Sequence, residues 1–533
     1  MSQDPSRSAA AMAELFLPLD RLLAGGGDPR LGLDPVSGLN EYGCRPLPCP
    51  DTLSFASSTA TSISQRAFDR AGVAREALMR SAIALGIDAA FDARLEAMRG
   101  ELKACLGLSQ TRAEVVFSPS GTDAQLQALF LARALKGPAL TTVIVAADQT
   151  GSGTADTARG NHFSAATANG IRVRKGEPIA GLAPPVGSIA LRLLDETGGF
   201  RPPAATDAQV IGAIEQSVAS GSNVLLQIMD CSKLGWRIPS DPCLDQIQAR
   251  WPDRVQVVVD ACQMRLGRRR LQKYLERGHI VLVTGSKFFT GPPFSGALLV
   301  PAALSKALAA VGGKAAGLVD YSSRSDWPQS WNSLRSGFPV RQNFGPWLRW
   351  EAALEEIRAY YAIPDEFRAA ALTAFGEGAE RIIASSPSLV SLPPQQRSGD
   401  DADDEELARP TIFPFLIRRH GRILPLADCR QIYRALARDA RADVAAEGGG
   451  RDAEIAANTC LVGQPVALGQ VAALRLCAGA RLVTQAWAAD ADTARGNLQR
   501  ELGHVAVIVA KIEWLLEGMD IDSPAPVEVR HGA

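Results

Sequence analysis

Val281-Leu282-Val283-Thr284-Gly285-Ser286-Lys287-Phe288-Phe289-Thr290-Gly291-Pro292-Pro293-Phe294-Ser295-Gly296 sets one lysine between two apolar runs. Both runs read as buried strands, because a sheet covered on both faces needs short, continuous apolar segments bounded by turn residues. A lysine enclosed by two strands and two phenylalanines is hard to explain as surface decoration. Upstream, the apolar run at residues 255–259 ends in Asp260-Ala261-Cys262-Gln263. Ligands of open α/β sheets gather at the carboxyl ends of strands, so an acid at one strand end and a lysine after the next can face one crevice.

The pattern extends outward from there. Val115-Val116-Phe117 precedes a small-residue turn and a helical stretch at 124–135, and further β-like runs lie at 141–145, 188–194, 224–229 and 280–283. Strands alternating with helices predict an α/β fold: a large domain whose mainly parallel, seven-stranded-type sheet is sandwiched by helices. Residues 1–65 form an expected N-terminal arm, turn-rich between 25 and 50, and residues 66–320 the large domain, opening on a helical stretch at 65–106. From 321 to 533 a smaller α+β C-terminal domain is expected, with strands at 411–417 and 472–476, a helix near 430–437 and an acidic, solvated loop near 396–408.

Composition bounds the function. A chain of 533 residues with 46% hydrophobic content can bury two or three cores. Its net charge of -1 gives no reason to expect nucleic acid or an anionic membrane as partner. The 9 cysteines lack paired short spacings and the 5 histidines are scattered, which argues against a disulfide framework and against a metal centre. The start, Met1-Ser2-Gln3-Asp4-Pro5-Ser6-Arg7, has no basic head with an apolar signal core. No apolar run approaches the roughly 20 residues of a membrane span, so a soluble cytoplasmic protein is expected.

Three segments carry chemistry, in chain order and each after a strand. Ser120-Gly121-Thr122 opens a helix, where free amides and hydroxyls suit a phosphate, although the same residues also make an ordinary helix cap. Asp260 and Gln263 follow the second segment's strand. Lys287 follows the third, with Gly291 and Gly296 relaxing the backbone behind it. Together they suit pyridoxal phosphate: a lysine amine forms a Schiff base with its aldehyde, and a carboxylate holds its pyridine nitrogen protonated.

Over residues 53–484 the chain resembles the fold-type I pyridoxal phosphate enzymes, nearest the class V aminotransferase and cysteine desulfurase group. Residues 53–61 resemble the opening small-residue and threonine stretch, Asp260-Ala261-Cys262-Gln263 the group's Asp-Ala-x-Gln, and Ser286-Lys287 with Gly291 and Gly296 its lysine motif. The resemblance implies Ser120, Gly121 and Thr122 at the phosphate, Asp260 at the ring nitrogen and Gln263 at the ring hydroxyl. It also implies Arg475, in Leu474-Arg475-Leu476-Cys477, as receptor of the substrate α-carboxylate, with Arg481 a competitor. A homodimer with active sites near the subunit interface is expected, in which Arg341 or Asn343 reaches the neighbouring cofactor.

The chain also departs from the group. Gln149 takes the place of the residue that stacks on the ring, and Ser232, in Cys231-Ser232-Lys233, replaces an asparagine. Residues 317–349 hold no cysteine to accept sulfur, which disfavours a desulfurase. Tyr42 is a candidate for the pocket entrance. The expected activity runs through a Lys287 Schiff base and a carbanion at the Cα of an amino acid substrate. Transamination is placed first, and lyase chemistry (β-elimination, decarboxylation or carbon–carbon cleavage) is the alternative. A nucleotide-binding α/β protein without the cofactor is the remaining reading.

Overall fold

The computed structural model describes residues 5–311, 316–393, 395, 406–407, 409–443 and 450–518. Most of the acidic stretch near 396–408 lies outside them. The larger of two sheets has seven strands, in spatial order Glu114–Ser118, Gly296–Val300, Ile280–Thr284, Val255–Asp260, Asn223–Met229, Leu140–Ile144 and Gly187–Ala190. The last five run parallel to one another, and only Gly296–Val300 runs against its neighbours. The reason is local. Gly296–Val300 follows Ile280–Thr284 through a loop alone, and without a crossover helix the chain can only turn back antiparallel.

Strand parity explains why these runs are apolar throughout. Val281 and Val283 enter one hydrophobic core with Val257, Val259 and Leu226, while Ile280 and Leu282 enter the other with Val258 and Leu225. Successive side chains point to opposite faces, so a sheet covered on both sides has no polar positions to spare. Among the covering helices are Gly121–Lys136, Pro203–Ala219, Asp241–Arg250 and Arg268–Glu276. The helical stretch expected at 65–106 is two helices, Gln65–Leu85 and Ile87–Cys105, because Gly86 adopts φ 78° and ends the first.

The second sheet draws on the arm as well as on the C-terminal part. Leu53–Phe55 pairs parallel with Cys460–Leu468, followed by Val471–Cys477 and Ile412–Arg419, and Leu389–Ser391 and Arg422–Ile423 each pair with Ile412–Arg419. Buried Arg265 links the two sheets. Its guanidinium donates to the Thr411 and Ala478 carbonyls at 3.2 and 2.9 Å and to Ser57 Oγ at 2.8 Å. Residues 56–62 therefore run directly past the carboxyl ends of the large sheet.

Candidate active site

A cavity of about 160 Å³ opens at those strand ends. One wall is the start of the helix Gly121–Lys136. Ser120 caps it, its Oγ accepting from the Asp123 amide at 3.2 Å and donating to Asp123 Oδ2 at 2.5 Å. Among the described residues the Gly121 and Thr122 amides make no hydrogen bond, so both donors face the cavity ready for an anion. A Cβ on Gly121 would stand 2.9 Å from Cys262 Sγ, which accounts for glycine at this point of the wall. Burial pushes the Asp123 carboxyl up to about 7, so near neutral pH it is partly protonated and repels an incoming phosphate less.

Lys287 and Asp260 line the same cavity. Lys287 Nζ donates to the Thr59 carbonyl, and burial lowers its pKa to about 8, with the charges of Arg475, Arg30 and Lys233 acting in the same direction. An amine with that pKa is substantially neutral, hence nucleophilic, in mildly alkaline solution. Asp260 Oδ1 accepts from the Cys262 amide at 3.1 Å, and Oδ2 from Gln125 Nε2 at 3.5 Å. Enclosure raises its carboxyl above the usual range, a cost that a cationic ring N–H beside it would offset. The loop carrying Lys287 is held in a fixed turn. Gly291 donates to the Gly285 carbonyl at 3.0 Å and Gly285 to the Ser295 carbonyl at 3.0 Å, while Thr290 and Phe294 take left-handed φ of 58° and 66°. Such backbone persists only where its surroundings over-determine it, and it clusters at functional sites.

Gln149, Gln263, Ser286 and Tyr42 also line the cavity. Gln149 is 2% exposed, yet neither atom of its amide has a hydrogen-bond partner. Gln263 donates to the Ser58 carbonyl at 3.1 Å and leaves its Oε1 unpaired. Buried polar groups in native proteins are satisfied, so unpaired atoms on a pocket wall await a polar ligand.

Three expected site residues stand away from this wall. The Ser232 hydroxyl accepts from the Leu234 and Trp236 amides at 3.1 and 3.0 Å, closing a turn that presents Cys231 and Lys233 to the cavity instead. Asn343 precedes the helix Phe344–Tyr361, donates to the Ala168 carbonyl at 3.4 Å and lines a separate small cavity beside Phe117 and Tyr321. Arg475 is fully enclosed. Its guanidinium donates to the Gln464 carbonyl at 2.7 and 3.2 Å, the Lys233 carbonyl at 3.3 Å and Thr59 Oγ1 at 3.1 Å.

Two cations on the wall escaped the sequence reading. Arg30 comes from the arm, where Asp28 caps the short turn Pro29–Leu31. Lys233 donates to the Thr150 carbonyl at 2.6 Å, and burial lowers its pKa to about 8. No local periodicity marks either one. The one cue was Asp28-Pro29-Arg30, a turn sequence with an acid poised to orient the arginine.

The residues present fit pyridoxal phosphate. The free helix amides could hold its phosphate, Asp260 its pyridinium and Lys287 its aldehyde, and the unpaired amide atoms offer polar contacts to the ring substituents. Among the described residues no cluster of histidine, cysteine and carboxylate could hold a metal, and no helix is long and apolar enough to cross a membrane.

No family model and no curated protein matches the sequence. Solved structures match by fold. Tryptophan decarboxylase of Catharanthus roseus, in complex with L-tryptophan, superposes with a TM-score of 0.50 at 14% identity, covering 87% of this chain and 83% of that one. At that identity the likeness is one of fold. Mouse CSAD (TM-score 0.45, 16% identity, 84% and 82% coverage) and a cystine C–S lyase bound to cysteine persulfide (0.47, 12%, 85% and 98%) also match.

Proposed function

We propose that this protein is a pyridoxal phosphate-dependent enzyme acting at the Cα of an amino acid. The observation that carries the reading is convergence: Lys287 Nζ, the Asp260 carboxylate and two unbonded helix amides share one enclosed cavity. When bound, the cofactor supplies an electron sink for charge developing at the substrate Cα. The protein does the rest. Gly121 and Thr122 hold the phosphate, and Asp260 keeps the ring nitrogen protonated. Lys287 would hold the aldehyde end of the cofactor through its amine, and the same amine would take or return a proton at the substrate Cα. Its depressed pKa suits both tasks.

Transamination would ask of the protein only that Lys287 move a proton at the substrate Cα, with water releasing the 2-oxo acid, and so stays the first reading. A lyase, decarboxylating or eliminating, is the second. Support for it comes from the decarboxylase sharing the fold. The homodimer expected from the resemblance is consistent with exposed apolar residues on the arm, Phe16, Leu17 and Val36.

The test is direct. Purified protein given pyridoxal phosphate should turn yellow, and borohydride should bleach it and leave the adduct on the Lys287 peptide. Asp260→Asn should bind the cofactor but lose about 10²- to 10³-fold in turnover, as removal of a preorganised charge does. Products then sort the chemistry, since a 2-oxo acid marks transamination whereas carbon dioxide or a released β-substituent marks a lyase. A protein that stays colourless and takes up no cofactor would refute the proposal.

A further inference from the structure

The cofactor accounts for the helix amides, Asp260 and Lys287, and leaves two cations on the cavity wall without a task. Arg30 is held with one edge engaged. Asp28 Oδ1 accepts from its Nε at 2.7 Å and Oδ2 from its Nη2 at 2.5 Å, and its guanidinium lies over the Phe294 ring, 5.1 Å from the centroid. Beside Asp28, the Tyr42 side chain also interacts with the guanidinium, and Tyr42 lines the same cavity, so a second carboxylate at the Nη1/Nη2 edge would be bound next to the Tyr42 hydroxyl. The mounting is rigid as well. Buried Arg349 donates to the Leu23, Gly25 and Gly26 carbonyls of the arm and also, at 2.9 Å, to the Phe294 carbonyl, which fixes Arg30 and its aromatic platform together.

Lys233 stands elsewhere on the same wall. Its ammonium donates to one carbonyl, and no carboxylate lies within ion-pair distance of it among the described residues. A buried cation without a counter-ion is costly unless a ligand supplies one. Burial, the largest influence, lowers its pKa, the charges of Arg475 and Arg30 act in the same direction, and Asp260 and Asp148 oppose them without prevailing. Arg475 cannot serve in place of either residue, because its donors are already committed.

We propose that Arg30 and Lys233 form a two-point anion receptor, and that the substrate class is therefore an amino acid whose side chain carries a second acid group. Arg30 takes one carboxylate by its Nη1/Nη2 edge beside Tyr42, and Lys233 takes the other as a point charge. The inference rests on the cofactor reading above, and the experiment separates the two.

The holoenzyme is titrated by calorimetry with succinate and with butyrate, four-carbon acids that lack an amine and so bind without covalent chemistry. Succinate should bind at least ten-fold more tightly. Arg30→Gln and Lys233→Gln should each abolish that preference while the protein stays yellow. The same ranking should appear in the spectral response to L-aspartate and L-glutamate against L-alanine. Equal affinity for succinate and butyrate in a yellow protein overturns the inference and leaves the cofactor reading standing. A Lys233→Gln protein with altered absorbance but unchanged succinate preference assigns Lys233 to the cofactor and likewise overturns the two-point receptor. A colourless protein would instead be a failure of the cofactor reading.

Discussion

The carbonyl of Thr59 accepts the hydrogen bond of Lys287 Nζ, so a residue of the arm holds the amine proposed to bind the cofactor. Thr59 is tied down in turn. Its Oγ1 accepts from the Gln464 amide at 3.0 Å and from Arg475 Nη2 at 3.1 Å, which makes Arg475 a brace for the lysine's partner. Thr59→Val keeps the shape but strips two buried donors of their acceptor, at a cost of about 1–3 kcal/mol each where neither finds a new partner. Denaturant unfolding should show the loss, together with a weaker hold on the cofactor. Thr59→Ser should restore both, and a valine variant as stable as the parent would show that the brace carries no load.

The amine also fixes a pH dependence. Condensation with an aldehyde needs neutral Lys287, whose pKa burial lowers to about 8. The rate at which apoprotein takes up pyridoxal phosphate should therefore rise with pH and level off above about 8, not near the ordinary lysine value of about 10.4. Stability follows the same sign. A lysine that binds its proton less tightly when folded destabilises the protein at low pH, and the penalty fades as pH climbs from the folded toward the unfolded pKa. Stopped-flow uptake across that range checks the first statement, and a midpoint near the ordinary lysine value would contradict it.

How far the sequence alone reaches is plain from these residues. Ser120, Asp260 and Lys287 each follow a strand that announces itself by a short apolar run, and the sheet's topology brings consecutive strand ends to one crevice. That is local information combined with a general rule, and it could be read. Arg30 and Lys233 could not be read in this way. Their places depend on how the arm closes over the sheet and on a turn shaped by the Ser232 hydroxyl, both set by tertiary contacts. Arg475 shows the converse. It lies on an expected strand, but partners far along the chain, Thr59 and the Lys233 carbonyl, take up its donors. Gly86 escaped for another reason, since one glycine in an alanine-rich run barely disturbs the periodicity although it ends a helix.

The glycines of the lysine loop make a sharper prediction. A Cβ on Gly291 would stand 2.7 Å from the Gly285 carbonyl oxygen and 2.8 Å from Ala353 Cβ, and one on Gly296 would stand 2.5 Å from the Ser120 carbonyl oxygen. Both neighbours are backbone or packed core and cannot swing aside. Gly291→Ala and Gly296→Ala should each destabilise by about 1–3 kcal/mol, as overpacking does. Gly296→Ala should also weaken the phosphate cradle, since it presses on the residue that caps it. Thermal unfolding with and without pyridoxal phosphate separates the effects: the Gly291 variant should lose stability in both states, the Gly296 variant more when the cofactor is present.

Arg349 offers the strongest test of the arm's role. It is wholly buried and has no carboxylate at ion-pair distance among the described residues, and its guanidinium is spread over the carbonyls of Leu23, Gly25, Gly26 and Phe294. Desolvating a guanidinium is expensive, so this arrangement stands only because every carbonyl it meets would otherwise be left unpaired as well. Arg349→Met removes the charge and keeps much of the volume, but it releases four acceptors at once. The arm should detach from the Phe294 loop, with a loss of about 3 kcal/mol. Limited proteolysis should then cut between residues 16 and 50 well before the rest of the chain. Arg30 and Phe294 would lose their common anchor, so succinate binding should weaken even though neither residue is altered. An arm that stays protected and a receptor that stays intact in Arg349→Met would mean that the second sheet, through Leu53–Phe55, holds the arm without help.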